Sequence, residues 1–308
     1  MKFPTAKIKK IAPLLIIAAA SLWALDGIVR RSLYHLPPIT IVFYEHLIGS
    51  LILLPVVISN LRKAPKGFLQ KKITRELILT VFLVALFGGL LGTLFITTAL
   101  AKVHFIAFSV VFLIQKLQPL FAILAAAILL KEKITKGYLK WALLALLAAF
   151  FVTFPGGRVN FATPAILAAA LYAFGAAAVW GTGTVFSKML LNQVSSTSGT
   201  ILRFYVTTFL AFIAVFVLGA QGSLSQVGAS EVSRLIYIAF STGLLAMLLY
   251  YQGLKYTQAK VSTILELALP LLAVFVDMFL YHNFLAWSQY LAAGVLLFAM
   301  YRVGKLKS

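Results

Sequence analysis

The chain has 308 residues, 62% of them apolar and 11% charged, against roughly 45–50% and 25% in a soluble domain. That excess excludes a soluble globular or disordered chain and indicates an integral membrane protein. The absence of cysteine excludes disulfides, thiol nucleophiles and thiolate metal sites, and the net charge of +20 has to be read from its placement.

A helix that crosses the hydrocarbon core needs about 20 largely apolar residues. Ten such runs are predicted, at 13–32, 39–59, 76–100, 105–130, 138–155, 164–190, 198–219, 233–254, 259–281 and 286–303. The expected fold is all-α, an integral membrane protein with ten transmembrane helices. Lys7, Lys9 and Lys10 before an alanine-rich run imitate a signal peptide, but the run continues through Trp23 and Asp26 and is read as the first span. The longest polar break, 60–75, carries Arg62, Lys63, Lys66, Lys71, Lys72 and Arg75 with Phe68 as its one aromatic. It is read as a topology determinant, and nucleic acid is not expected as a partner. With the amino terminus inside, 20 Lys and Arg fall on that side and 5 on the other. Both termini are therefore expected in the cytoplasm, with the basic surface against anionic lipid headgroups of the cell membrane.

Ionisable side chains inside spans are costly unless paired, wet or neutralised, so each is a candidate for function. In the first span Trp23, Asp26 and Arg30 share one helical face. Asp26 is either a local ion-pair partner of Arg30 or a cavity carboxylate beside an aromatic wall. The second span brings Tyr44, Glu45 and His46, and the third a Gly88 and Gly92 pair at the spacing of close helix contact. In the fourth, Gln115 and Lys116 precede Pro119, and in the ninth Glu266 precedes Pro270. Proline lacks an amide hydrogen, so the carbonyls of Gln115 and Glu266 are expected to lose their helical partners, which places both turns inside a bundle or along a cavity. Lys116 is expected to pair with Glu45 or Glu266, as an opening gate or as a static contact. Trp180 in the sixth span, Arg203 in the seventh and Tyr250 in the eighth complete the set. Ser262, Glu266, Pro270 and Asp277 fall near one stripe, and a carboxylate at a proline-loosened turn suits proton coupling.

Ala18-Ala19-Ala20 before Trp23 is echoed by Ala176-Ala177-Ala178 before Trp180, and Gly89-Leu90-Leu91 by Gly243-Leu244-Leu245. With the paired proline steps, these echoes suggest two copies, 1–158 and 159–308. An odd number of spans per copy inverts the second. Gln118-Pro119-Leu120 followed by Leu129-Leu130-Lys131-Glu132 resembles the proline, apolar run and terminal glutamate of the drug/metabolite transporter superfamily, in particular its EamA-type ten-helix members. The second copy departs from this, with Asn283 beside His282 at the glutamate position. Glu45 stands where such repeats often place arginine, whereas Arg203 keeps the basic residue. The resemblance implies an inverted-repeat basket around a central cavity, walled by helices one, three, four and six to nine and gated alternately to either side.

Walker, dinucleotide-binding, metal-spaced histidine and nucleophile-elbow motifs are missing from the sequence, so neither cofactor, metal nor catalytic residue is expected. The leading expectation is a secondary active transporter, proton-coupled, running as exporter or importer as gradients dictate, as monomer or homodimer. Its small-molecule substrate would meet Trp23, Asp26, Tyr44, Glu45, Lys116, Trp180, Arg203, Tyr250 and Glu266. Glu266 and Asp26 would serve coupling, and Gln115, Pro119 and Pro270 the helix breaks. Acids beside aromatics favour an amine, an amino acid or a cationic amphiphile, while Lys116 and Arg203 suit a carboxylate or phosphate. The alternatives are an intramembrane lipid-modifying enzyme and a channel-like subunit.

Overall fold

The computed structural model describes residues 5–63, 74–102, 111, 114–154, 157, 164–269, 271–272 and 286–306. The apolar runs are helical because a backbone in hydrocarbon has to satisfy its own N–H and C=O groups. In chain order the described helices are α1 Thr5–Arg30, α2 Pro38–Lys63, α3 Arg75–Lys102, α4 Gln118–Leu129, α5 Lys136–Thr153, α6 Pro164–Gln193, α7 Ser196–Val217, α8 Ala229–Tyr256, α9 Ala259–Leu265 and α10 Trp287–Lys305. Seven of them, α1 to α3 and α5 to α8, are long and apolar enough to cross a membrane, and α4 is a shorter apolar helix. The chain is an all-α integral membrane protein. The predicted spans at 105–130 and 259–281 lie partly outside the described residues.

Side-chain caps mark several helix starts. Thr74, Thr135 and Ser195 accept the N–H of Leu77, Tyr138 and Ser198, satisfying donors that a helix leaves open. Midway along α3 and α8 the backbone widens into π-helical stretches, Val84–Leu91 and Ile238–Leu245. A π turn re-aims the side chains beyond it and leaves carbonyls off the regular ladder.

The main packing pairs are α1 with α8, α3 with α6, α4 with α6, α2 with α7, and α5 with α10. Exchanging the first five helices for the last five maps all of these onto the same set except α4 with α6, whose counterpart, α1 with α9, is a minor contact. Lipid tails are as apolar as the helix surfaces, so close contact through small residues does much of the holding. At Gly181 an added Cβ would lie 2.6 Å from the Gln118 carbonyl oxygen, and at Gly92 it would strike the Trp180 indole. Large apolar residues such as Leu124, Leu171 and Val217 face outward.

Both predicted helix breaks are tight turns. Leu117 N–H donates to the Ile114 carbonyl and Leu120 N–H to that of Leu117. Leu267 N–H donates to Ile264 and Leu269 N–H to Glu266. The Glu266 carbonyl, expected to be an orphan, thus has a partner at 3.0 Å because the turn tightens to a three-residue spacing. Pro119 falls in the first turn of α4, where a missing N–H costs nothing. Pro270, Asp277, His282 and Asn283 lie outside the described residues.

Candidate functional site

A cavity with about 1370 Å³ of non-atom space, its open part included, lies among α1 to α4 and α6 to α8 and reaches the turns before α4 and after α9. Of the predicted site residues, Trp23, Asp26, Glu45, Lys116, Trp180, Arg203, Tyr250 and Glu266 line it, together with Gln115 and Pro119. Tyr44 does not. Its hydroxyl donates to the Leu224 carbonyl at 3.0 Å and its ring packs against Phe43, because Tyr44 projects toward the 221–226 turn while its neighbour Glu45 turns inward.

One charged centre sits between α1 and α2. Arg30 Nε donates to Asp26 Oδ2 at 2.6 Å, and its Nη2 reaches Asp26 Oδ1 at 3.1 Å and Glu45 Oε2 at 2.9 Å. The ion pair visible at the spacing of Asp26 and Arg30 is present, and Glu45 joins it from the neighbouring helix. A planar guanidinium matches two carboxylates at once. Thr242 Oγ1 donates to Asp26 Oδ1 at 2.6 Å, which ties the cluster to α8.

The second acidic centre is built differently. Glu266 Oε1 accepts the Tyr250 hydroxyl at 2.6 Å, and Oε2 accepts Gln118 Nε2 at 3.0 Å. Gln115 Nε2 in turn donates to Gln118 Oε1 at 2.8 Å. The chain Gln115, Gln118, Glu266, Tyr250 thus joins the two broken turns through neutral donors. Among the described residues no lysine or arginine forms an ion pair with Glu266. The Trp23 and Tyr250 rings stand 5.2 Å apart, next to this chain.

Lys116 and Arg203, both buried, also stand apart from Glu266. Lys116 pairs with neither Glu45 nor Glu266 as expected. Its Nζ donates to Thr153 Oγ1 at 2.5 Å, because the tight turn at Lys116 and Leu117 aims it toward α5. Arg203 Nη2 donates to the Gly88 carbonyl at 2.6 Å, and Nη1 to the Tyr251 hydroxyl at 3.4 Å. His46 bonds the Val42 carbonyl and packs its ring on Phe204.

The paired tryptophans play matching parts. Trp23 Nε1 donates to the Thr242 carbonyl at 2.9 Å and Trp180 Nε1 to the Gly88 carbonyl at 3.0 Å. Each indole therefore binds a carbonyl in the π-helical stretch of the long helix it packs on, α8 or α3. Sequence reasoning missed Gln118 and Thr242 as site residues. The signal for Gln118 was its place beside Pro119 at a helix break, and Thr242 left none.

The sequence pattern of the EamA-like transporter family matches residues 10–154 and 167–304. A riboflavin transporter, ImpX, of Fusobacterium nucleatum subsp. nucleatum is 37% identical over 297 residues, covering 95% of this chain and 97% of that protein. The uncharacterized inner membrane transporter YhbE of Escherichia coli K12 is 27% identical over 286 residues, covering 92% of this chain and 84% of the other. A solved crystal structure superposes with a TM-score of 0.71 at 18% identity, over 96% of this chain and 95% of that one, and so shares the fold.

Proposed function

The chain belongs to the EamA-like transporter family, and on that premise we propose that it is a secondary active transporter that carries riboflavin, or a flavin of the same class, by alternating access. The observation that carries this reading is the cavity bordered by helices from both halves of the chain, in which Glu266 is held by neutral donors alone. The flavin comes from the 37% identical riboflavin transporter, and the chemistry of the cavity suits it. A flavin is a flat, uncharged, polar ring system bearing a polyol. It needs aromatic walls and hydrogen-bonding side chains more than a counter-charge. Trp23, Trp180 and Tyr250 supply the first, and Gln115, Gln118, Thr184 and Ser187 the second. The amine favoured by acids beside aromatics loses its footing here. Asp26 and Glu45 already share Arg30 as ion-pair partner, and Glu266 is bonded to Tyr250 and Gln118.

In this reading residues 1–158 and 159–308 are inverted copies with both termini in the cytoplasm. The solute enters between them and leaves unchanged when they rock past one another. Glu266 exchanges the coupling proton, and loss of its charge loosens its contact to Tyr250 and its contact to Gln118, which joins the copies. Asp26 supports Trp23 through Thr242. The test is riboflavin flux into proteoliposomes. A carrier gives saturation and counterflow. Flux that rises linearly with concentration and shows no counterflow would identify a channel, and a chemically altered flavin or lipid would identify an enzyme.

A further inference from the structure

The α4 and α9 helices run antiparallel and meet at two places. At the cavity end Gln118 donates to Glu266. At the opposite end Glu132, just beyond α4, accepts the backbone N–H of Ala259 at 2.8 Å and of Lys260 at 3.2 Å through its two carboxylate oxygens. Those are the first two residues of α9, whose opening N–H groups have no partner within the helix. Two more bonds reinforce the contact. Lys260 Nζ donates to the Lys133 carbonyl, and the Tyr138 hydroxyl donates to the Lys260 carbonyl at 2.7 Å.

Holding Glu132 in place requires an unfavourable backbone. Lys131 has φ 55, the one positive φ at a non-glycine position among the described residues. The left-handed turn folds the chain back so that Glu132 N–H reaches the Ala126 carbonyl at 3.1 Å. Glycine would end α4 this way without strain, and strain of this kind persists where the surroundings over-determine it. The surroundings here are the α9 contacts. At the equivalent distance after Pro270 the sequence has Asn283, so this charge belongs to one copy only.

We propose that Glu132 is a positioning residue for transport: it clamps the start of α9, and with it Glu266, while the cavity is shut at this end, and it releases α9 when the carrier turns over. The proposal rests on the carrier reading above but not on the identity of the solute. Glu132 does not line the cavity, so its effect has to pass through α9.

Because the chain has no cysteine, a single introduced thiol reports without background. Ser262→Cys puts one on α9 at a fully buried position, to be labelled by a membrane-impermeant maleimide from each side of the vesicle in turn, without substrate. With Glu132→Gln, which keeps the shape but loses the charge-assisted bonds, labelling from one side should accelerate about tenfold, and Glu132→Asp should restore most of the protection. In flux assays Glu132→Gln should change the maximal rate and leave the riboflavin KM unaltered. Unchanged labelling in Glu132→Gln overturns the proposal. Should that variant fail to fold, Tyr138→Phe removes a separate bond of the same clamp and should give a smaller acceleration from the same side, and unchanged labelling there overturns it equally. Accelerated labelling in a protein that carries no riboflavin would support the clamp and refute the flavin.

Discussion

At Asp26 and Glu45 the acidic charge is answered by a guanidinium, whereas at Glu266 it is answered by a phenol and a carboxamide. Asp26 and Glu266 are half-buried and Glu45 buried, and both centres face one cavity. In the first, two carboxylates share one guanidinium and moving a proton would weaken an ion pair, so it fixes α1 against α2 and, through Thr242, against α8. The second has no cation to satisfy, and its two contacts come from different halves of the chain. A carboxylate held this way can change charge without stranding a partner, which suits it to a transport cycle.

The comparison can be broken most forcefully at Arg30. Arg30→Met leaves the buried Glu45 and the half-buried Asp26 without their cation and should cost about 3 kcal/mol, read as a lowered unfolding temperature in detergent. Adding Asp26→Asn and Glu45→Gln should recover part of that loss, whereas no recovery would mean that Arg30 acts through packing alone. Tyr250→Phe removes one of the two Glu266 contacts and leaves the other. A hydrogen bond to a charged group is worth about 1.5–3 kcal/mol, so riboflavin affinity or the maximal flux should fall by roughly tenfold or more. Equal flux would show that the Tyr250 contact is idle. Thr242→Val probes the link from Asp26 to α8, which Arg30 backs up, and should lower stability by about 1 kcal/mol. The smallest stability change belongs to Glu266→Gln. An amide can still accept from Tyr250, so the unfolding free energy should stay within about 1 kcal/mol of the parent while function changes.

Much of the fold was legible because hydrocarbon leaves a backbone few options. The apolar runs mark α2, α3 and α5 to α8 within a few residues, while α1 begins eight residues before its run, and the Trp23 and Trp180 echo became two indoles bonded to two π-helical stretches. The site was legible by composition and not by pairing. That Asp26 and Arg30 meet follows from helical spacing, but that Glu45 joins them depends on how α2 lies against α1, which spacing within one helix cannot express. Lys116 was misassigned for a related reason. Its direction is set by the tight turn before α4, and a proline in the sequence announces a break without saying which way the last side chain will point. Tyr44 and Glu45 are neighbours, so one turning toward the cavity sent the other away from it. The π-helical stretches were invisible in advance, since neither Val84–Leu91 nor Ile238–Leu245 carries a proline to announce a departure from the regular helix.

The most direct test of the account compares wild type with Glu266→Gln in riboflavin-loaded and empty proteoliposomes under an imposed pH gradient. The account predicts that Glu266→Gln keeps riboflavin counterflow but no longer concentrates riboflavin when the pH gradient is applied. A Glu266→Gln protein that still concentrates riboflavin in response to the gradient would contradict it.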